Sequence, residues 1–329
     1  MSTPALAERK DEKRGLRRYT LNPIYIVLVI LLVLIAIKNP QFLEPAGYMN
    51  FLKRVAPVAI VACGQLFVIV AGGFDLSAGA VITLTVIGAS MLISNNADAV
   101  IWVIPLLFVG GALIGLINGL VVVYLRVPSL IATLGMMITL GGLTLFWSGG
   151  APKGYLPDSF RFFGRFNLKV PGISILPVSL IVLVVMVALF WWLMHHTNFG
   201  RLLFGIGDNP RAAQLAGVPV ERVRILAFVI SSLSATITGI LVGGFSGVSP
   251  DAGNGYELQA ITAAVLGGAQ LLGGRGSIPA TVVGGATLAA IFTLLNFLGL
   301  PNPVRNVVQG LILIGAVALA MYRRKRTGQ

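Results

Sequence analysis

From residue 23 onward the chain is a succession of apolar runs separated by short polar stretches. The first run covers 24–37, and nine more follow near 55–72, 77–94, 100–124, 129–148, 176–195, 225–245, 257–272, 278–298 and 304–322. Most approach the roughly 20 residues that a helix needs to cross hydrocarbon. The runs at 55–72 and 257–272 are short and end at glycine pairs, which predicts broken or partly re-entrant spans. The first run has the length of a signal-peptide core, but KNPQFLEPAGY follows it with no small-x-small cleavage site, so an uncleaved first span is expected. The pattern predicts an all-α integral membrane protein of about ten transmembrane helices. A single membrane domain over 23–322 lies between basic tails at 1–22 and 323–329.

Composition agrees: 56% of the 329 residues are hydrophobic and 11% charged, against about 25% charged in soluble domains. The formal net charge of +13 suggests nucleic acid until the charges are placed. They sit in loops and tails rather than on one face, so no nucleic acid is expected. With the N-terminus inside, sixteen Lys and Arg fall on the inner side and eight on the outer. That bias predicts both termini in the cytoplasm. Four of the outer eight (Lys153, Arg161, Arg165 and Lys169) share one loop, 149–175, with Phe160, Phe162, Phe163 and Phe166 interleaved. Two readings fit them: an amphipathic element lying on membrane lipid, or a docking site for an acidic external partner. Cys63 is the single cysteine, which excludes an intramolecular disulfide. His195 and His196 have no partner at metal-ligand spacing and read as interfacial polar residues, so no metal site is expected.

An internal repeat is visible. Ile104-Pro105 with Val109-Gly110-Gly111-Ala112 recurs as Ile278-Pro279 with Val283-Gly284-Gly285-Ala286, and Gly72-Gly73-Phe74 recurs as Gly243-Gly244-Phe245. The offsets nearly agree and relate spans two to five to spans seven to ten. In a ten-span topology these partners run in opposite directions, which makes an inverted repeat.

The longest polar interruption on the inner side is 196–224, and it contains a complete short helix. Asn209 suits an N-cap, Pro210 the first helical position, Gly217 the left-handed closing residue, and Pro219 stops continuation. Between them lie Arg211, Ala212, Ala213, Gln214, Leu215 and Ala216, too few for a helix that stands alone in water. Spacing puts Ala212, Ala213 and Ala216 on a shared small-residue face that admits close approach.

This arrangement resembles the coupling helix of ABC-importer membrane subunits of the ribose/galactose-type monosaccharide permeases, within the branched-chain/ribose permease family. The matching residues are Gly200-Arg201, Gly207, Asn209, Ala212-Ala213 and Gly217; Gly205 departs from the family's usual alanine. Three further stretches resemble the same family. They are Gly72-Gly73-Phe74-Asp75-Leu76-Ser77-Ala78-Gly79, then Asn118-Gly119-Leu120 with Arg126-Val127-Pro128 and Ala132 to Met137, and Gly267-Gly268 with Gly273-Gly274-Arg275-Gly276. The resemblance runs from about 55 to 322. It implies an inner-membrane permease that acts with a cytoplasmic ABC ATPase, a second permease copy or paralogue and an extracytoplasmic sugar-binding protein. ATP and magnesium would be held by the ATPase.

Asp75 has two readings. An acid beside apolar runs is a functional candidate, and a proton relay there would suit an ion-coupled carrier. Alternatively Asp75 or Ser77 caps the third helix, with Gly72, Gly73 and Gly79 permitting a tight turn and close packing. Gln65, Asn118, Thr133, Thr139, Gln259, Thr262 and Asn296, with Phe67 and Phe292, are candidates to line the pathway; interhelical hydrogen bonding is the alternative for each. The stretch 268–275 echoes a P-loop but lacks its Lys and Ser/Thr, so ATP hydrolysis is not expected of this chain, nor is enzymatic activity. Two rivals to an ABC permease are an ion-coupled carrier using Asp75 and a membrane scaffold or channel.

Overall fold

The structure is a computed structural model, and it describes residues 23–94, 96–151, 154–169 and 175–327. The tail at 1–22 and Lys153 lie outside the described residues. Thirteen α-helices are described: α1 Pro23–Lys38, α2 Pro45–Val70, α3 Ala78–Ile93, α4 Val100–Tyr124, α5 Ser129–Ser148, α6 Asp158–Arg165, α7 Val178–His196, α8 Asn198–Asp208, α9 Pro210–Leu215, α10 Val220–Ser246, α11 Tyr256–Leu266, α12 Ile278–Phe297 and α13 Asn302–Thr327. Two-residue strands β1 (Asn167–Leu168) and β2 (Leu176–Pro177) pair antiparallel between α6 and α7.

Six helices are long and apolar enough to cross a membrane; Pro23–Lys38, Ala78–Ile93 and Asn306–Gly315 are shorter apolar helices. The chain is a multi-pass, all-α membrane protein. α2 forms its axis: 94% of its most apolar stretch is buried, against 17% in α5 and 28% in α7. The exposed flanks carry apolar side chains such as Ile101, Ile131, Ile138 and Val184, which suit lipid contact. Exposed Trp102 and Trp147 mark one level, and Tyr124, Trp191 and Trp192 the other. Aromatic residues at both levels are expected of interfaces.

Small residues set how closely the central helices approach. On α4, Gly111, Gly115 and Gly119 form one ridge at four-residue spacing against α10. A Cβ on Gly115 would lie 2.7 Å from the Phe228 carbonyl oxygen and from Val229 Cα, and one on Gly119 would lie 2.8 Å from Ile225 Cα. Without side chains the two backbones pack directly, the small-xxx-small mode of membrane helices.

The second span is longer than the 55–72 run. Tyr48, Asn50, Lys53 and Arg54 break the hydrophobic run, yet α2 continues through them from Pro45. Lys53 is accommodated because its Nζ donates to the Arg165 carbonyl oxygen at 2.7 Å and lies over the Phe245 ring. The 257–272 run does give a short helix, α11, while α1 and α3 have sixteen residues each. Eleven residues of α11 extend about 16 Å, and its C-terminal turn gives way to Gly267 and Gly268, the latter at φ 90°.

Candidate functional site

Between α2 and α3 the chain leaves helical conformation at Ala71 and resumes it at Ala78. This stretch lies deep. Asp75 bonds to Ser231, eleven residues into α10, about 16 Å along its axis. Non-helical backbone at such depth must find hydrogen-bond partners within the protein. Side chains supply them. Phe74 N–H donates to Ser129 Oγ at 3.1 Å, and Leu76 N–H to Thr133 Oγ1 at 3.0 Å. The Gln65 amide pairs with Asp75 itself, Nε2 donating to its carbonyl at 3.1 Å and Oε1 accepting from its N–H at 3.0 Å.

The Asp75 carboxylate is fully buried and held by hydroxyls. Oδ1 accepts from Ser77 N–H at 3.0 Å and from Ser77 Oγ at 2.6 Å, while Oδ2 accepts from Ser231 Oγ at 2.8 Å. Asn118 Nδ2 donates to Ser77 Oγ at 2.9 Å. Ser77 therefore sits at the N-cap position of α3 without capping it, because its hydroxyl is already engaged by Asp75 and Asn118. The Asp75 side chain closes a turn just ahead of α3 instead. Gly72, at φ 82°, starts this segment in the left-handed region. Gly79 presses against Gly253 and Glu257, and a Cβ there would lie 2.7 Å from the Gly253 carbonyl oxygen. The first turns of α3 and α11 thus meet inside the protein.

Of the lining candidates, Gln65, Asn118 and Thr133 are brought together around this segment, where they satisfy its polar groups. Phe67 is buried in an aromatic cluster, edge-on to Phe190 and stacked on Phe199. Thr262 bonds back to the Leu258 carbonyl oxygen. Gln259 is half-buried on α11, Phe292 is half-buried, and Thr139 and Asn296 are exposed. The lining candidates do not form one surface.

The capped helix is present as α9. Asn209 Oδ1 accepts from Ala212 N–H at 3.0 Å and Pro210 takes the first position. At the other end Val218 N–H donates to the Ala213 carbonyl oxygen and Gly217 N–H to that of Gln214, with Gly217 at φ 78°. This pair of bonds is the Schellman closure. The expected alanine face is corrected: Ala213 alone is buried, among core residues of this chain, whereas Ala212 and Ala216 are exposed and Leu215 is 84% exposed. Adjacent Ala212 and Ala213 point about 100° apart, so Ala213 turns into the core while Ala212 stays outside. Arg211 is exposed.

α8 connects α9 to the core. Thr197 Oγ1 accepts from Gly200 N–H at 3.3 Å, and Arg201 pairs with Asn198. A Cβ on Gly200 would strike the Met194 backbone, whereas one on Gly205 would meet nothing within 4 Å, so alanine at 205 fits equally well. Gly207 packs against the Val70 carbonyl and Gly274, whose N–H donates to that carbonyl at 3.0 Å. A Cβ on Gly273 would lie 3.0–3.1 Å from Val70, Gly207 and Gly72 backbone atoms. Gly207 of α8 and the Gly273-Gly274 pair therefore meet the end of α2 where the 71–77 segment begins.

At the opposite end α6 lies across α10, with Phe160 buried and Gly164 against the α10 backbone. Arg161 Nε donates to the Gly244 carbonyl oxygen at 3.2 Å, while Arg165 and Lys169 are exposed. Sequence reading missed Ser231, the ridge Gly111-Gly115-Gly119, and Glu257, whose Oε1 accepts from Gly255 N–H at 3.2 Å. Glu257 carried the same signal as Asp75, an acid at the edge of an apolar run. No cluster of metal-binding residues occurs among the described residues.

The profile of the family described as "Branched-chain amino acid transport system / permease component" matches residues 47–317. The chain is 37% identical over 299 residues to the ribose import permease protein RbsC of Bacillus subtilis, covering 90% of this chain and 91% of that one. It is 34% identical over 294 residues to the protein of the same name from Escherichia coli K12, covering 89% and 91%. It is also 34% identical over 326 residues to the galactose/methyl galactoside import permease protein MglC of Haemophilus influenzae, covering 93% and 96%. No solved structure matches the chain. The extent of the profile match, with relatives aligned over nine-tenths of their length, places the chain in the branched-chain amino acid transport system / permease component family.

Proposed function

We propose that the chain is the permease subunit of a bacterial ABC importer for a monosaccharide or a related small polar solute. The observation that carries this reading is α9, a helix closed by residues at both ends, set against the core through Ala213 and presenting Leu215 outward. Relatives named for ribose and galactose import support the solute class. A cytoplasmic ATPase would engage the exposed face of α9, a second permease copy or paralogue would complete the pathway, and an extracytoplasmic binding protein would deliver the solute. Both termini are then cytoplasmic in the inner membrane, α9 inside and α6 outside.

The reading includes ten spans, α1 to α5, α7 and α10 to α13, with an inverted repeat. Its support is the pairing of helices: α2 packs along α12 as α10 packs along α4, and α3 and α11 are both short, both preceded by non-helical chain, with their first turns in contact. Displacement of α9 reaches the core through Gly207, which abuts the end of α2, and so bears on the 71–77 segment. Asp75 serves in this mechanism as an anchor between α3 and α10, because its carboxylate oxygens are taken by Ser77 and Ser231.

Proteoliposomes test the proposal. Uptake of the radiolabelled sugar delivered by the cognate binding protein should require the ATPase and ATP, and should persist when ion gradients are collapsed. Uptake by the lone chain driven by a proton or sodium gradient would overturn it.

A further inference from the structure

At the α9 end of the molecule, a cavity of about 650 Å³ opens between α9, the end of α2, the α4–α5 turn and the start of α10. Three guanidinium-bearing residues line it, Arg126, Arg211 and Arg224, with Glu221 as the one acid among its lining residues. Their chemistry leaves a net positive site even when Glu221 is charged. Arg224 Nε is buried with no hydrogen-bond partner among the described residues. A buried donor of this kind is costly unless something accepts from it. Arg126 holds φ at 55°, in the left-handed region that an arginine seldom adopts. Such strain is retained where surrounding structure or function requires it.

A second cavity shares Arg126 and Glu221 and continues to Arg222 and Tyr124. Tyr124 and the next residue, Leu125, are exposed, so this mouth opens beside the apolar flank of α4. The inner wall includes Val68 and Phe228. Cationic groups beneath an aromatic at the membrane edge, backed by apolar walls and open sideways, match an anionic headgroup with its acyl chains left in the bilayer. Guanidinium groups suit the oxygens of phosphate in particular.

We propose that this cavity binds a phosphate group, supplied by an anionic phospholipid that enters along α4. The phosphate would bridge Arg211 on α9 to Arg126 and Arg224 on the core, so that headgroup occupancy fixes the position of α9. An acidic side chain of a partner protein fits less well, because the unpartnered Arg224 Nε is buried, whereas such a partner would meet the outward face of α9. The proposal does not depend on which solute is carried.

The test uses the full-length protein in nanodiscs of phosphatidylcholine alone or with phosphatidylglycerol as a third of the lipid. Thermal unfolding is followed in both, and inorganic phosphate is titrated into the first. Phosphatidylglycerol should raise the unfolding temperature, and Arg211→Gln and Arg126→Gln should each weaken that response by about tenfold in effective affinity, the loss expected for a charged hydrogen bond. Arg211 is exposed, so its variant remains informative should Arg126→Gln fold poorly. A response to inorganic phosphate that is lost in the same variants would keep the phosphate site and assign it to a free anion. Responses identical in wild type and Arg211→Gln, or absent with both probes, would overturn the proposal. So would an Arg126→Gln effect confined to binding of the ATPase.

Discussion

Ser231 Oγ, on α10, donates a 2.8 Å hydrogen bond to Asp75 Oδ2, on the non-helical segment ahead of α3. The two residues are 156 positions apart, and both are fully buried. The bond ties the one break in the α2–α3 region to the helix that follows α9.

Asp75→Asn replaces an acceptor with a donor facing Ser231, while its remaining oxygen can still serve Ser77. We expect a loss of about 1.5–3 kcal/mol, the range for hydrogen bonds to charged groups. Ser231→Ala should cost a similar amount, and the double variant less than the sum, because each change removes the same bond. Thermal unfolding of the purified protein provides the measurement, and additive losses would show that the residues act independently. ATP-dependent uptake should remain insensitive to collapsed ion gradients in Asp75→Asn.

Two glycines on α4 separate close packing from helix propensity. Gly115→Ala places a methyl 2.7 Å from α10 backbone atoms and should destabilise by about 1–3 kcal/mol, as overpacking does. At Gly110 a Cβ meets nothing within 4 Å, so Gly110→Ala should be neutral or stabilising by up to about 1 kcal/mol. The same unfolding assay compares them, and equal losses would refute the α4–α10 contact as the cause.

Hydrophobic runs made most helices legible, since lipid-facing α4, α5 and α7 need little beyond continuous apolarity. α2 was under-read because Lys53 looks like an interruption until α6 supplies the carbonyl of Arg165, a contact 112 residues away. α9 was legible almost residue by residue, because capping is local chemistry. Its buried face was not, since that depends on which neighbours approach. Asp75 invited two readings for the same reason: its acidity is written in the chain, but Ser231 reaches it only through the fold. The ridge of Gly111, Gly115 and Gly119 was legible as a four-residue period and passed over among forty glycines.

The outward face of α9 should carry the contact with the ATPase. Leu215→Asp changes a side chain that is 84% exposed, so stability should shift by no more than about 0.5 kcal/mol. Substrate-stimulated ATP hydrolysis by the assembled complex should fall about tenfold or more if Leu215 is an anchor. Ala213→Arg should behave differently, losing about 3 kcal/mol or more from an unpaired charge forced into the core. Full stimulation in Leu215→Asp would remove α9 from the coupling path, while Gly205→Ala should leave both stability and stimulation intact.

The described basic residues of the α6 region, Arg161, Arg165 and Lys169, divide by environment, and the division decides how a docking test must be built. Arg161 is half-buried and its Nε holds the Gly244 carbonyl, so Arg161→Glu should cost about 1–3 kcal/mol by leaving that acceptor unmet. An effect on binding in that variant would therefore say little about charge. Arg165 and Lys169 are exposed, and the Arg165 carbonyl, not its guanidinium, receives Lys53. Arg165→Glu/Lys169→Glu should leave the unfolding temperature unchanged. If these cations steer an acidic binding protein, the double variant should slow its association by about tenfold at low salt. The difference should shrink toward 1 M salt, where the screening length falls to about 3 Å. Surface plasmon resonance of the binding protein over nanodisc-held transporter measures both regimes. Association rates equal to wild type at low salt would leave α6 as an amphipathic helix whose exposed charges meet lipid phosphates, with Phe162 and Phe166 stacked at 5.0 Å on the same surface.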